Sequence, residues 1–359
     1  MYQRMTIALI LTLAPLGAGA ITLEGLTGYQ VVQVGDDGKA VVSLSGSAPD
    51  GAVEVLVDHA EESGFLESWE ALGEASGGAY AGEITLSEGG PYTVSVRSAD
   101  SPEETASVSR VLAGDLWVLA GQSNMQGVGN LTGLPKPHPQ VNLLRMNHEW
   151  TQARDPLHIL AESADAVHGT YESDEQRAAS VRNSYRGTKG AGLGLPFAIE
   201  MVERTGRPVG LVATAHGGTS MAQWDPALKD KGGDSLYGSM LAQVAAAGGK
   251  VRGVLWYQGE SDANENAQPI FREKFAGLID AMRADFGTPE MPFLYVQIGR
   301  FVRTNIHPYW DKIQTDQLAL GDSIPHAGVV ASVDLEVTPP KPAMDHSKPA
   351  RVPVTLTRR

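Results

Sequence analysis

Four short segments carry residue types that suit acyl chemistry. Gly121-Gln122-Ser123-Asn124-Met125 places a serine one step beyond an apolar run, behind a glycine that permits a tight turn. A hydroxyl so placed can stand exposed as a nucleophile, and the free N–H groups of a helix starting near Asn124 would face a developing oxyanion. Ser123 suits an ordinary N-cap equally well. The segment is not the Gly-x-Ser-x-Gly elbow, because the residue two after Ser123 is Met125. In Ala215-His216-Gly217-Gly218-Thr219-Ser220 the paired glycines can turn N–H groups toward an anion, or simply form a strand-to-helix turn. His216 reads as a residue that orients a loop or contacts ligand rather than as the base. In Trp256-Tyr257-Gln258-Gly259-Glu260-Ser261-Asp262, Gln258 can donate its amide to an oxyanion and Glu260 can orient a histidine. Glu260 and Asp262 can equally complement a helix N-terminus. Asp345-His346 near the end of the chain supplies the accessible histidine that a serine esterase needs as a base.

The elements that must position these residues are legible from the hydrophobic pattern. Leu116-Trp117-Val118-Leu119-Ala120 is a short apolar run ending in Gly121, and similar runs recur at Val209 to Ala213, Val251 to Tyr257, Phe293 to Ile298 and Val329 to Val333. Helical segments lie between them. In the clearest, from Pro269 to Phe286, Phe271, Phe275, Leu278, Met282 and Phe286 share one face, with Gly287 placed to cap the C-terminus. Near-continuous apolar strands alternating with helices predict a parallel sheet covered on both faces. Ligands of such sheets sit beyond the carboxyl ends of the strands, where all four segments fall. From about Leu23 to Leu112 the pattern is different. Short β-prone runs such as Val41-Val42-Ser43-Leu44 alternate with polar residues between Gly, Asp and Pro turns, which predicts a small antiparallel sandwich. The expected organisation is a leader over 1–20, a β-rich accessory domain over 21–112 and a catalytic α/β domain over 113–359.

Composition narrows the partners. The formal net charge of −14 repels nucleic acid and anionic lipid at long range. At 42% hydrophobic the chain can bury a large core, and with no cysteine it can form neither a disulfide nor a thiolate metal site. No His, Asp and Glu spacing matches a metal-ligand set, so no metal is expected. Arg4, the apolar stretch Met5 to Leu16 and the small residues Ala18-Gly19-Ala20 form the pattern of a cleaved secretory signal. The expected location is secreted or periplasmic, with no membrane attachment after cleavage. Oligomeric state is not readable.

Together, Gly121-Gln122-Ser123-Asn124-Met125, Gly194-Leu195-Pro196-Phe197-Ala198, His216-Gly217-Gly218-Thr219-Ser220 and Gln258-Gly259-Glu260-Ser261-Asp262 resemble the sialate O-acetylesterase and acetylxylan esterase group of the SGNH hydrolases. The first and last of these are highly specific as a pair. The resemblance implies a flavodoxin-like three-layer α/β fold, no cofactor, an acetylated carbohydrate as substrate and deacetylation through an acyl-enzyme. Carried over by position, Ser123 is the nucleophile and His346 the general base. The N–H groups of Ser123 and Gly218 and the Gln258 side chain form the oxyanion hole. Gln122, Asn124 and His216 are expected to contact substrate, with Trp224 offering a ring on which a pyranose can stack.

The chain departs from the family pattern at two points. Many SGNH members place an Asp three residues before the base histidine, but here that position is Ala343. Glu260 is the first choice for the third triad member and Asp345 the second, with a dyad as a further possibility. Only 13 residues follow His346, where a closing helix is expected, so a truncated or altered C-terminus and a looser last layer are expected. Two rivals are a lipase or thioesterase of the wider SGNH group, and a carbohydrate-binding protein on a degenerate esterase scaffold.

Overall fold

A computed structural model describes residues 20–59, 68–300 and 308–332. The proposed leader falls outside the described residues except for Ala20, and so do Asp345, His346 and the tail that follows them. The chain divides into two compact units. One comprises residues 1–26, 41–84 and 93–108, the other 27–40, 85–92 and 109–359. The boundary therefore does not fall at a single residue near 112. Three stretches of the β-rich segment cluster with the larger unit.

In the smaller unit the period-two alternation appears as alternating burial. Val53 and Val55 face inward on Gly51–His59, and Val42 and Leu44 on Lys39–Ser47. Gly51–His59 pairs antiparallel with Glu70–Ala75. Arg97 reaches Glu54 at 2.8 Å and lies over the Trp69 ring at 4.1 Å from its centroid.

The larger unit is built on one sheet. Its strands are β1 (Val31–Gln33), β2 (Ser101–Gly121, of which the part from Ser109 belongs here), β3 (Val141–Leu144), β4 (Trp150–Gln152), β5 (Val209–Ala213), β6 (Gly253–Tyr257), β7 (Phe293–Val296) and β8 (Ala327–Val330). The order is β4-β3-β5-β2-β6-β7-β8, and every neighbouring pair is parallel except the edge pair β4-β3. β1 runs parallel to β2 in a separate pairing, Val31 opposite Leu112. Without the added edge strands β3 and β4, the order of β5-β2-β6-β7-β8 is 2-1-3-4-5, that of a flavodoxin-like sheet. The chain leaves β2 for one side and returns on the other at β6. In a sheet of this order, ligands sit in the crevice beyond the carboxyl ends of the strands at such a reversal, here those of β2, β5 and β6.

A strand segment buried on both faces needs apolar residues at every position, and Leu116 to Ala120 of β2 supply them. Leu116, Val118 and Ala120 join a core with α4 (Leu236–Ala246), α5 (Phe271–Asp285) and α6 (Pro308–Ser323). Trp117 and Leu119 face the other way, onto α3 (Gly194–Thr205). The sheet is thus the middle of three layers. α1 (Ser123–Gln126) is a single turn after β2, and α2 (Asp174–Arg186) contributes no buried residue. The α5 stripe is as the spacing predicts: Phe271, Phe275, Leu278 and Met282 are at most 1% exposed, and Gly287 follows at φ +66°. Phe275 meets Trp256 and Phe293 across the helix-sheet interface, with ring centroids 6.1 and 5.8 Å away.

At the opposite end of the sheet from the crevice, buried Asp115 accepts from Gln33, Arg207 and Arg252, tying β1 and the loops before β5 and β6 to the base of β2. Sequence and structure differ mainly at edges. The run at Val329 forms its strand two residues earlier, at Ala327–Val330, and Val333 lies outside the described residues. Among the described residues no helix is long and apolar enough to cross a membrane. Phe275→Ala is expected to lower unfolding free energy by about 3–5 kcal/mol in a urea titration, because the cavity lies among rings that cannot close over it. A loss below about 1 kcal/mol would contradict this packing.

Candidate active site

β2, β5 and β6 deliver their following loops to one place. Backbone bonds continue the sheet past the strand ends: Gln122 N–H donates to Tyr257 O at 2.9 Å and His216 N–H to Gly121 O at 3.0 Å. Gly121 is held at φ +125°, and a Cβ there would lie 2.3 Å from Tyr257 O, so only glycine lets the chain turn this close to β6. Ser123 then begins α1, half-buried, and the N-cap position falls on Gln122 rather than on the serine.

The residues flanking Ser123 are gripped by one carboxylate. Gln122 Nε2 donates to Glu260 Oε2 at 2.5 Å, and Asn124 Nδ2 donates to Glu260 Oε1 at 2.7 Å. Ser261 Oγ donates to Gln122 Oε1 at 2.9 Å. Burial pushes the Glu260 carboxyl above the usual range and neighbouring Asp262 adds to that, while its own backbone N–H and the Asn124 amide pull it back. Gln122 and Asn124, expected as substrate contacts, are engaged here as braces. Glu260, expected to orient a histidine, has both oxygens occupied by amides.

A second carboxylate secures the β5 loop. Asp262, 2% exposed, accepts from Met221 N–H at 3.0 Å and from Gln258 Nε2. Gln258 is fully buried and its amide also donates to Thr219 O at 3.1 Å. Both of its donor hydrogens are thus engaged within the protein. This corrects the expectation that the Gln258 side chain would serve an oxyanion: it ties the loop after β5 to the loop after β6. Gln317 of α6 completes the frame, donating to Gln258 O at 2.8 Å and accepting from Ile298 N–H at 2.9 Å.

The β5 loop passes directly over the serine. Gly217 N–H donates to Gln126 Oε1 at 2.7 Å, and a Cβ on Gly217 would lie 3.5 Å from Ser123 Cβ. Gly218 is left-handed at φ +75°, with open space where a Cβ would stand. Trp224 is a second correction. It is fully buried, its Nε1 donates to Thr219 Oγ1 at 2.9 Å, and its ring meets Trp256 edge-on, so it is core and offers no face to a sugar.

His216 is half-buried and belongs to a network that sequence reasoning missed. Its Nδ1 lies 3.1 Å from His168 Nδ1, His168 Nε2 lies 3.0 Å from Ser239 Oγ, and Ser239 Oγ donates to Asp165 Oδ2 at 2.6 Å. Burial, then the charges of His216 and His158, push the His168 imidazole down to about 3, and burial lowers His216. A cavity of about 210 Å³ beside it is lined by His216, Thr219, Gln223, Lys231, Asp234 and Ser235, among others. His168 and Asp165 sit on short 3₁₀ and loop segments with no periodicity, so no sequence signal joined them to His216.

The site can be set beside known proteins. Residues 113–353 match the family described as carbohydrate esterase, sialic acid-specific acetylesterase. The chain belongs to this family and is a carboxylic ester hydrolase acting on acetylated carbohydrate. It is 27% identical over 258 residues to a probable carbohydrate esterase of Arabidopsis thaliana, covering 65% of this chain and 83% of that protein. To the human sialate O-acetylesterase it is 26% identical over 228 residues, 56% of this chain and 41% of that one. A carbohydrate acetylesterase from Xanthomonas citri shares the fold with a TM-score of 0.56 at 22% identity, over 88% of this chain and 69% of that structure.

Asp155 lies apart from these networks. Both of its oxygens are buried without a hydrogen bond of normal geometry among the described residues, and burial pushes its carboxyl up to about 7, against the smaller pull of the Gly192 amide. A group raised in the fold from 3.8 keeps its proton while the unfolded chain ionises, so the folded state loses stability as pH rises from about 4 to 7. The stability of Asp155→Asn relative to wild type should therefore rise by roughly 2–4 kcal/mol between pH 4 and pH 8 in paired denaturant titrations. A pH-independent difference would count against a buried neutral carboxyl.

Proposed function

We propose that this esterase removes O-acetyl groups from sugars of the sialate type, with Ser123 as its nucleophile. The observation that carries the reading is the placement of Ser123. It stands half-buried at the carboxyl end of the central strand, held on both sides by Glu260 and faced by Gly217. His346, which lies outside the described residues, takes the Ser123 proton as the hydroxyl attacks the acetyl carbonyl. The N–H groups of Ser123 and Gly218 receive the oxyanion, where one donor typically contributes about 2.7–4 kcal/mol. The imidazolium returns the proton to the departing sugar oxygen, and water, activated by the same histidine, hydrolyses the acetyl-Ser123 ester to acetate.

Glu260 is assigned a structural duty toward Gln122 and Asn124, so the base is oriented either by Asp345 or by a backbone carbonyl. Lys231 is among the residues that line the cavity beside His216 and offers a cation to an acidic sugar. The smaller unit is proposed as an accessory β-sandwich, and residues 1–20 as the leader that exports the chain.

The test is acetate release from an aryl acetate and from a panel of O-acetylated sugars, sialates included. Ser123→Ala should lower kcat by roughly 10⁶-fold, the scale seen when serine hydrolases lose their nucleophile, with unfolding unchanged. Retention of wild-type turnover by the folded variant would remove Ser123 from the role. Activity rising with acyl length would replace the acetyl-sugar reading with a lipase or thioesterase.

A further inference from the structure

The network of His168, Ser239 and Asp165 behind His216 has a defined sense of hydrogen bonding. Asp165 as a carboxylate can only accept, so the single hydroxyl hydrogen of Ser239 goes to Asp165 Oδ2, 2.6 Å away. Ser239 Oγ is then an acceptor toward His168 Nε2 at 3.0 Å, and that nitrogen carries the hydrogen. A neutral imidazole with Nε2 protonated has a bare Nδ1. The 3.1 Å contact between His168 Nδ1 and His216 Nδ1 requires one hydrogen, and it must come from His216. The two ring planes lie within 21° of each other with centroids 5.2 Å apart, the arrangement of rings joined edge to edge. His216 therefore keeps its hydrogen on Nδ1, and its Nε2 is a lone pair with no partner among the described residues. That atom belongs to a residue lining the 210 Å³ cavity and adjoining the glycine in contact with Ser123.

We infer that Asp165, Ser239 and His168 lock His216 in the Nδ1–H tautomer, so that Nε2 accepts a hydrogen bond from a free sugar hydroxyl neighbouring the acetyl ester. The substrate class this selects is a partly acetylated sugar with an unblocked hydroxyl beside the scissile group. A deoxy, methylated or peracetylated neighbour offers nothing to donate. Had the lock run the other way, His216 would present a donor and accept blocked substrates as readily. His168, Ser239 and Asp165 are positioning residues in this scheme, since they act through His216. The inference rests on the esterase reading for its substrate and on the hydrogen-bond geometry of neutral rings for its tautomer.

Two readouts separate these parts. Long-range ¹H–¹⁵N spectra of histidine-labelled wild-type chain, with His216 assigned by its loss in His216→Gln, should show Nδ1 protonated and Nε2 bare at neutral pH. An Nε2–H His216 in the wild type overturns the proposal without any variant having to fold. Kinetics supply the second readout. Wild-type kcat/KM for a monoacetylated sugar with the free neighbouring hydroxyl should exceed that for the matched O-methyl ether, which can accept but not donate, by about tenfold, the scale of one hydrogen bond. Ser239→Ala should mix the His216 tautomers and bring that ratio toward one, with Ser239→Thr restoring both. A wild-type ratio near one, or a ratio unmoved in Ser239→Ala while the tautomers mix, overturns the assigned role. If the chain releases acetate from no ester, the esterase reading fails along with the substrate assignment, and the spectrum still decides the tautomer lock.

Discussion

The carboxylate of Glu260 accepts one hydrogen bond from Gln122 and one from Asn124, the two neighbours of Ser123 in the chain. A buried carboxylate is costly unless its oxygens are satisfied, and here the satisfying donors are the residues that fix the serine. The dependence runs both ways. Without the amides Glu260 would be a half-buried acid short of its two side-chain donors, and without Glu260 the single turn Ser123–Gln126, too short to hold itself by helical bonds, would lose a tether on each side of the serine. Asp262 repeats the device one turn further on, binding Met221 N–H and Gln258 and so anchoring the glycine loop over the serine. The Glu-Ser-Asp triplet after β6 thus organises the loops after β2 and β5.

That arrangement is available because the chain adds β5 on one side of β2 and β6 on the other. Parallel strands end together, and the reversal leaves their loops facing one crevice without a crossing helix between them. The apolar run Leu116 to Ala120 at the end of β2 fixes the height of Ser123 through two cores of unequal size. Three helices and the Trp256-Phe275-Phe293 ring cluster pack on one face, and α3 packs on the other. At the far end, Asp115 draws in Arg207 and Arg252 and holds the starts of β5 and β6 in register with β2. From that base to the site, β5 and β6 are each only five residues long.

Much of this was written in the sequence. Apolar runs flanked by glycine marked β2, β5, β6 and β7, and the 3.6-residue spacing of Phe271, Phe275, Leu278 and Met282 marked α5, because burial on two faces or on one stripe leaves a direct pattern. The strand-end rule then pointed to the candidate site. What did not follow was how polar groups were used. Gln258 reads as a donor aimed outward, yet it is fully buried with its hydrogens on Thr219 and Asp262, and no pattern in one chain distinguishes these cases. Trp224 reads as a surface ring and is core. The short edge strands β3 and β4 were missed, having too few residues for a period. The His168–Ser239–Asp165 network joins residues up to 74 apart in the chain, which only the fold brings together.

The central claim, that this scaffold exists to present Ser123 as a nucleophile, is tested most directly by chemistry on the serine itself. The purified chain would be treated with a phosphonylating reagent specific for activated serines, and the modified residue located by peptide mass spectrometry. The account predicts a single adduct on Ser123, and none once Ser123 is replaced by alanine. A folded wild-type chain that remains unmodified, or carries the adduct on another serine, would contradict it.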